Sequence, residues 1–578
     1  MDYYHDNCLL LAKKEPLLVE KLKDVPVEDS CQEIKGIVSF GSKEIKEADL
    51  LVILGWGMGL CLESILKLCS PKTFILVIEE SLSRFKDVLS KRDLSVIIEC
   101  ERISISVNES PFIATLLRLE RYFSVLTFKE MYVIEHLPSI KENPKYYQEV
   151  EAKLKEALYM ATVNVGTFLR YGAIWKNHIL TNFPLILKHP GVNCLNHKFK
   201  ELPVIIVGAG PSLDRNITTL KEVKDTALII STDTALTTML KNKVLPHLVM
   251  TVDGTIKNFT KCYQNLDIPK NIFLISDLMA YPETFSKFSS EKIFILNDGH
   301  PLLQWLGRFA GFDSYIPRGG NVSTAAFNLA LRLGSKTIIL IGQDLSFPGG
   351  KFYSQGIVKK TSRYLKNNLD SSQLMEIQDI FGHKLTTSRT LYGFIKWFEN
   401  RIDHLDIDGI NATEGGANIQ GFKNLSLKEA IKDYCLKPFP IYETLQSLSS
   451  NFQKPVISPL LEKINQLSEE YQMVNILCDQ ALNIIKRFLF DSLNSSYFNN
   501  LLWRLNDLKK EIVSLENFIF CERFQMEPLI HQLSNQEEDI PFLEKVKTIK
   551  TIFFRLQYIS KHTLFLLEDL KMAFQGTI

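Results

Sequence analysis

The stretch Pro203-Val204-Ile205-Ile206-Val207-Gly208-Ala209-Gly210-Pro211-Ser212-Leu213-Asp214 decides the fold. A short apolar run rich in β-branched residues reads as a buried parallel strand. It ends in a Gly-Ala-Gly-Pro-Ser turn, and a helix is expected to follow. Gly208 and Gly210 lack a Cβ, so a ligand can approach the backbone closely there. Pro211 suits the first helical position, where its missing N–H costs nothing. The unspent N–H groups of a helix start favour an anion, as in a nucleotide phosphate site.

Outward from this stretch, further apolar strands are expected at Leu228–Ile230, Leu248–Val252, Ile272–Ile275, Ile293–Leu296 and Thr337–Ile341. Helical segments between several of them predict a doubly wound parallel sheet across about residues 201–430. Right-handed crossovers then put every strand's C-terminal end on one rim. Polar residues follow most of these strands: Ser231-Thr232-Asp233, Asp253-Gly254-Thr255, Ser276-Asp277, Asn297-Asp298 and Gly342-Gln343-Asp344. A single Asp in such a place is commonly a cap or turn residue. Several on one rim point to a ligand crevice outside the strand ends.

A second glycine loop, Pro317-Arg318-Gly319-Gly320-Asn321-Val322-Ser323-Thr324, precedes an expected helix at Ala325–Leu333, with Asn321 or Ser323 as its cap. Two helix starts on one rim would hold a diphosphate, or a phosphate together with a carboxylate. Gly349-Gly350-Lys351-Phe352-Tyr353 reads as a mobile loop whose Lys351 and Tyr353 close over an anionic ligand. Asn411-Ala412-Thr413-Glu414-Gly415-Gly416-Ala417 is another turn, with Glu414 as a base, a ligand of a sugar hydroxyl, or a turn cap. His383, in Phe381-Gly382-His383-Lys384, is either a base that titrates near neutrality or a loop residue without a role.

Residues 1–145 carry a second pattern. Leu50–Leu54 reads as a strand, followed by Gly55-Trp56-Gly57-Met58-Gly59, a helix, and a strand at 73–80 that ends in Glu79 and Glu80. That order is a Rossmann half, in which the acid binds ribose hydroxyls and the spacing from Gly55 to Glu79 fits, although G-x-G-x-G departs from the usual fingerprint. The domain either binds a nucleotide or is a degenerate copy that serves packing or protein contacts. Residues 146–200 read as a helical connector. Residues 431–578 show no strand pattern. Leu501, Leu505, Leu508, Ile512, Leu515 and Ile519 form an apolar stripe on one long helix, as in a helical bundle.

Lys plus Arg number 67 and Asp plus Glu 66, which predicts no broad attraction to nucleic acid or to an anionic membrane. The ten cysteines are scattered without a Cys-x-x-Cys pair, as expected of packing residues in a reducing cytosol. The longest apolar stretch, near Leu50–Leu62, is too short and too glycine-rich to span a bilayer, and the N-terminus lacks the pattern of a secretion signal. The expected localisation is cytoplasmic. There is no Walker A sequence, no kinase signature set and no nucleophile elbow.

Four blocks resemble the Maf family, the motility-associated glycosyltransferases that modify flagellin. They are Val207–Asp214, Ser231-Thr232-Asp233-Thr234-Ala235-Leu236, Gly319-Gly320-Asn321-Val322-Ser323-Thr324-Ala325 and Asn411–Ala417. The resemblance covers about residues 40–430. It implies a Rossmann-like N-terminal domain, a central domain similar to bacterial CMP-sialic-acid-dependent sialyltransferases, and a helical C-terminal domain. The implied donor is a CMP-activated nonulosonic acid of the pseudaminic or legionaminic type. The implied acceptor is a Ser or Thr hydroxyl of flagellin before export. Ala209 stands where the sialyltransferases carry Asn.

On this reading Gly208, Gly210, Pro211, Ser212, Gly319, Gly320, Asn321 and Ser323 hold the cytidine monophosphate, with Tyr353 closing over it. Asp233 and Asp253 bind ribose, base or sugar hydroxyls, and Asp344, His383 and Glu414 are the candidate bases. A monophosphate leaving group needs no divalent metal, though the rim acids leave room for one. Two rival readings stand beside it. One is a pterin diphosphokinase using ATP and Mg²⁺, because a related archaeal family shares the Gly-x-Gly-Pro-Ser loop. The other is a non-catalytic flagellin-binding assembly factor.

Overall fold

The computed structural model describes residues 3–23, 25–26, 45–46, 48–71, 73–111, 113–119, 130–223, 225–297, 299–312, 314–317, 319–354, 374–403, 405–490, 495–522 and 542–575. The chain divides into two compact units, Met1–Tyr171 and Gly172–Ile578. The division falls inside the helix Pro144–Asn182.

The first unit holds four parallel strands, β1 (Leu50–Leu54), β2 (Phe74–Glu79), β3 (Ile103–Val107) and β4 (Met131–Glu135), in the order β3-β2-β1-β4. The chain starts at β1, moves outward through β2 to β3, and returns to the other side of β1. Its topological switch point therefore lies between β1 and β4.

The second unit is built on an eight-stranded parallel sheet. Its strands are β5 (Val204–Val207), β6 (Leu228–Thr232), β7 (Leu248–Thr251), β8 (Phe273–Asp277), β9 (Ile293–Leu296), β10 (Thr337–Ile341), β13 (Asp408–Asn411) and β14 (Lys423–Asn424). The order is β14-β13-β10-β5-β6-β7-β8-β9, and every pairing is parallel. A two-stranded antiparallel hairpin, β11 (Leu374–Gln378) with β12 (Lys384–Ser388), stands apart from it. The chain begins in the middle at β5, runs out to β9, crosses back by the helix Val322–Leu333, and continues on the far side of β5. The switch point of this sheet is the cleft between β5 and β10.

Period-two alternation explains why these strands are apolar throughout. Ile206 and Ile230 face a core built with Ala326, Phe327 and Ala330 of the crossover helix. Ile205, Val207 and Ile339 face the opposite layer, with Leu213, Ile217 and Met239. Both faces are covered, so both sets of side chains leave water, at roughly 25 cal/mol per Å² buried. The α/β class and the doubly wound sheet are as expected from the sequence.

The C-terminal helices are Ile441–Ser450, Ser458–Phe490, Ser495–Ser514, residues 516–522, and Phe542–Gln575. The stripe from Leu501 to Ile519 is not one helix: the helical run is interrupted at Leu515. A buried polar knot joins four helices. Lys176 Nζ donates to Glu522 Oε1 at 2.5 Å and to Thr563 Oγ1 at 2.7 Å, and Tyr471 OH donates to the same carboxylate at 2.6 Å. Among the described residues, no helix is long and apolar enough to cross a membrane.

Candidate functional site

The switch point of the first unit is closed by its own side chains. Glu79, at the end of β2, is fully buried. Its carboxylate accepts Trp56 N–H at 2.8 Å, Ser81 N–H at 2.9 Å and Arg84 Nη1 at 2.9 Å. Arg84 also donates to Ser139 Oγ at 2.7 Å and pairs with Glu142. His136, directly after β4, lies 2.9 Å from Ser139 Oγ through Nδ1, and burial lowers its pKa. Gly57, at φ +52°, lies so close to the His136 ring that a Cβ there would sit 2.9 Å from Nε2. The acid expected to bind ribose is thus spent on the protein's own backbone and on an arginine. The glycine loop is packed against His136 and Ser139.

The second unit's switch point collects most of the remaining motifs. Ser212 Oγ donates to Asp344 Oδ2 at 2.7 Å, and Ser212 N–H lies 3.2 Å from the same oxygen. Gly208 and Gly210 are glycines because the β10 loop comes so close. A Cβ on Gly208 would meet the Gln343 amide and the Gly342 carbonyl; one on Gly210 would meet the Asp344 carboxylate and that same carbonyl. Gln343 Nε2 donates to Ser323 Oγ at 2.5 Å, which ties the β10 loop to the start of the crossover helix. Both glycine loops therefore meet at Gly342-Gln343-Asp344.

Two details of the first loop differ from expectation. The helix after it is a four-residue turn, Leu213–Asn216, continued as 3-10 backbone to Glu222. Pro211 precedes the N-cap Ser212 and is not the first helical residue. The N–H expected for an anion is directed at Asp344 instead. The second loop does open a full helix, Val322–Leu333. Asn321 caps it, with Oδ1 accepting Thr324 N–H at 2.8 Å and Thr324 Oγ1 accepting Asn321 N–H at 3.2 Å. Its start lies at the β10 loop, through the Ser323–Gln343 bond, and the first N–H groups of a helix have no partner within it. Gly319 and Gly320 pack under Trp397 and Phe394 of the helix Arg389–Ile402. Arg318 of this block, and Asp298 after β9, lie outside the described residues.

Asp344 is almost wholly buried, and burial raises its pKa to about 6 against the opposing hydrogen bonds from Ser212. Its neighbours Leu345 (φ 48°) and Glu414 (φ 58°) hold left-handed backbone without being glycine. Each such residue costs about 1–3 kcal/mol, and strain of this kind collects at functional sites. Glu414 is half-buried. Its Oε1 accepts Leu427 N–H at 2.9 Å and Asn216 Nδ2 at 3.3 Å, and its carbonyl accepts Arg215 Nη1 at 3.1 Å. It ties the turn after the first glycine loop to the start of the helix Leu427–Tyr434.

Asp233 forms a separate buried cluster. It accepts Thr234 N–H at 2.7 Å, Thr251 Oγ1 at 2.8 Å and Asn258 Nδ2 at 2.8 Å, and burial raises its pKa. Asp253 is exposed and closes a turn by accepting Thr255 N–H at 2.8 Å. Residues Pro348–Ser354 cross above β5 and β6. Ser354 N–H donates to Ala209 O at 2.9 Å, and Ser354 Oγ lies 2.9 Å from Thr238 Oγ1. The end of the loop expected to be mobile is thus anchored. The Tyr353 ring stacks edge-on against Phe352, with Lys261 Nζ 4.0 Å from its centroid.

His383 sits at the turn of the β11–β12 hairpin with its side chain 77% exposed, 3.4 Å from Asp379. The hairpin docks on the rim: Phe347 N–H donates to Thr386 O, and Thr387 Oγ1 to Leu345 O. Its strands touch the loop behind Asp344, and its turn pairs with the Asn411–Ala417 block: Asp379 bridges to Ala417, and Ile380 N–H donates to Gly416 O at 3.3 Å. Sequence reasoning did not single out Gln343, Asn216, Asn258 or Ser354. Of these, only Gln343 carried a signal, as the neighbour of Asp344 at a strand end. Among the described residues, no three His, Cys, Asp or Glu side chains converge as a metal site would need.

Residues 177–350 match the family described as 6-hydroxymethylpterin diphosphokinase MptE-like. An uncharacterized protein of Treponema pallidum (strain Nichols) is 23% identical over 303 residues, 52% of this chain and 51% of the relative. Another from the same organism is 29% identical over 90 residues, 15% of this chain and 32% of the relative. A third is 25% identical over 142 residues, 22% of this chain and 35% of the relative. The chain spans about half the length of the first of these curated relatives and about a third of the other two. The structure of a MAf glycosyltransferase from Magnetospirillum magneticum AMB-1 aligns at a TM-score of 0.47 and 15% identity. The alignment covers 99% of this chain and 97% of that one.

Proposed function

We propose that the cleft between β5 and β10 is the active site of a glycosyltransferase. It moves a nonulosonic acid from its CMP donor to Ser or Thr hydroxyls of flagellin in the cytoplasm, before export, in support of motility. One observation carries this reading. Val207–Asp214, Gly319–Ala325 and Asn411–Ala417, three of the four blocks that resemble the Maf family, converge at one switch point through Asp344 and Gln343. Ala417 N–H donates to Asp344 O at 2.8 Å, which closes the ring of contacts. A switch-point crevice is where open α/β sheets bind ligands.

On this account the donor phosphate rests at the start of the helix Val322–Leu333. The acceptor oxygen attacks the anomeric carbon as the bond to the phosphate oxygen breaks. The electron pair of that bond leaves with CMP, and the hydroxyl proton passes to the Asp344 carboxylate. A base with a pKa of about 6 is ionised at neutral pH and still has useful basicity. Ser212 holds the carboxylate in place. Asp233 fixes Asn258 and the start of the helix Ile256–Cys262 beside the ribose, Asp253 meets its hydroxyls, and Tyr353 with Lys261 covers the nucleotide. Glu414 shapes the Asn411–Ala417 turn, and His383 is the second candidate base, brought in from the hairpin.

The match of residues 177–350 to the MptE-like family favours one other reading, an ATP- and Mg²⁺-dependent diphosphokinase acting on a pterin. Thermal shift separates the two. Stabilisation by CMP supports the transferase, and stabilisation by ATP with Mg²⁺ alone supports the kinase. Stabilisation by neither removes both. The functional test is the intact mass of flagellin from cells with and without this protein. Loss of the sugar increment without the protein is expected, and an unchanged mass in a flagellin-glycosylating organism refutes the assignment.

A further inference from the structure

The helix Phe542–Gln575 carries two apolar stripes, and the bundle uses one of them. Ile552, Phe553, Leu556, Leu567, Leu570 and Phe574 are buried. Phe554, Tyr558, Phe565 and Met572 are 62%, 70%, 63% and 60% exposed. At 100° per residue these four side chains fall within about 40° of one another, along about 27 Å of helix. At about 200 Å² per large apolar side chain they leave roughly 500 Å² of apolar surface in one band. That is the scale at which a patch on a folded protein marks a contact.

The polar residues beside the stripe say what covers it. Lys561 and Glu568 lie in the seam itself, so that Phe554, Tyr558, Lys561, Phe565, Glu568 and Met572 alternate by four and three. Arg555, His562 and Asp569 flank it at intervals of seven and are exposed. A parallel copy would set Lys561 against Lys561, Glu568 against Glu568 and Arg555 against Arg555. An antiparallel copy centred on Thr563 sets Phe554 against Met572, Lys561 against the Phe565 ring and Tyr558 against Glu568. It also puts Arg555 opposite Asp569, twice by symmetry. The charged flanks then meet opposite charges, Lys561 meets a ring and Glu568 a phenol, while His562 meets its own copy across the two-fold axis.

We propose that this stripe binds a second copy of the chain as an antiparallel, two-fold helix pair. The contact is isologous, so it closes at two copies. Sedimentation equilibrium of the full chain tests it, and a dimer is expected. Arg555→Glu and Asp569→Arg each replace two attractive pairs by two like-charge pairs and raise the dimer dissociation constant about tenfold. The double reversal restores it. Phe565→Lys sets two further like charges against Lys561 and gives a monomer with unchanged helix content by circular dichroism. A chain that stays monomeric at every concentration overturns the proposal. So does a dimer whose dissociation constant none of these variants moves, or a double reversal that fails to restore pairing.

Discussion

Replacing Asp344 by Asn gives a response whose sign and size follow from the buried carboxyl. Its pKa stands at about 6 in the folded chain against an ordinary value of 3.8. Below pH 3.8 both states hold the proton. Between these values the folded chain keeps a proton that the unfolded chain has released, so stability falls as pH rises. Above about pH 6 both states are ionised, and the folded chain bears a buried charge. Two pKa units correspond to about 3 kcal/mol of stability, present below about pH 4 and lost by about pH 7. The substituted amide carries no proton to lose, so this part of the pH dependence disappears. Urea unfolding followed by tryptophan fluorescence, from about pH 4 to about pH 7.5, measures the difference between the two proteins. Asp344→Asn should gain on the parent as pH rises, while transferase activity falls by about 10²–10⁴-fold, as for loss of a general base. A difference in stability that does not vary with pH would refute the buried, proton-holding carboxyl. Unimpaired transfer would refute its role as base.

Other substitutions probe single contacts. Gly210→Ala drives a methyl group into the Asp344 carboxylate and the Gly342 carbonyl; a loss of about 1–3 kcal/mol in unfolding free energy and loss of CMP binding by calorimetry are expected. Asn321→Ala removes the cap of the crossover helix and should cost about 1 kcal/mol in urea unfolding, with weaker CMP binding. Glu79→Gln leaves buried Arg84 with Glu142 as its remaining charge partner and should cost about 1–3 kcal/mol in the first unit, with CMP affinity by calorimetry unchanged. The wild-type transfer rate should fall below about pH 6 as Asp344 takes up its proton, which a pH–rate profile reads directly.

Strand content was legible in the sequence because a sheet covered on both faces leaves a continuous apolar run. β5, β9 and β10 fall at the residues that the apolar runs alone marked. β13 was missed because Asp408 and Gly409 break its apolar run, and the β11–β12 hairpin because its strands are polar and half-exposed. Ser212 and Asp344 were each visible as residues that follow a strand. Their hydrogen bond joins positions 132 apart, a separation that only the sheet order resolves. The sequence also suggested that glycines at 208 and 210 leave room for a ligand. Instead the neighbouring strand's loop occupies that space, a close approach that no local pattern records. Glu79 matched the spacing of a ribose-binding acid, but spacing does not show that Arg84 and two backbone amides already claim its oxygens.

Electron density from crystals soaked with CMP bears most directly on the central claim. The account predicts a phosphate at the first turn of the helix Val322–Leu333, with the cytidine reaching across the ends of β5 and β6. Crystals in which that cleft stays closed around Asp344 and Gln343, with CMP absent or bound elsewhere, would contradict it.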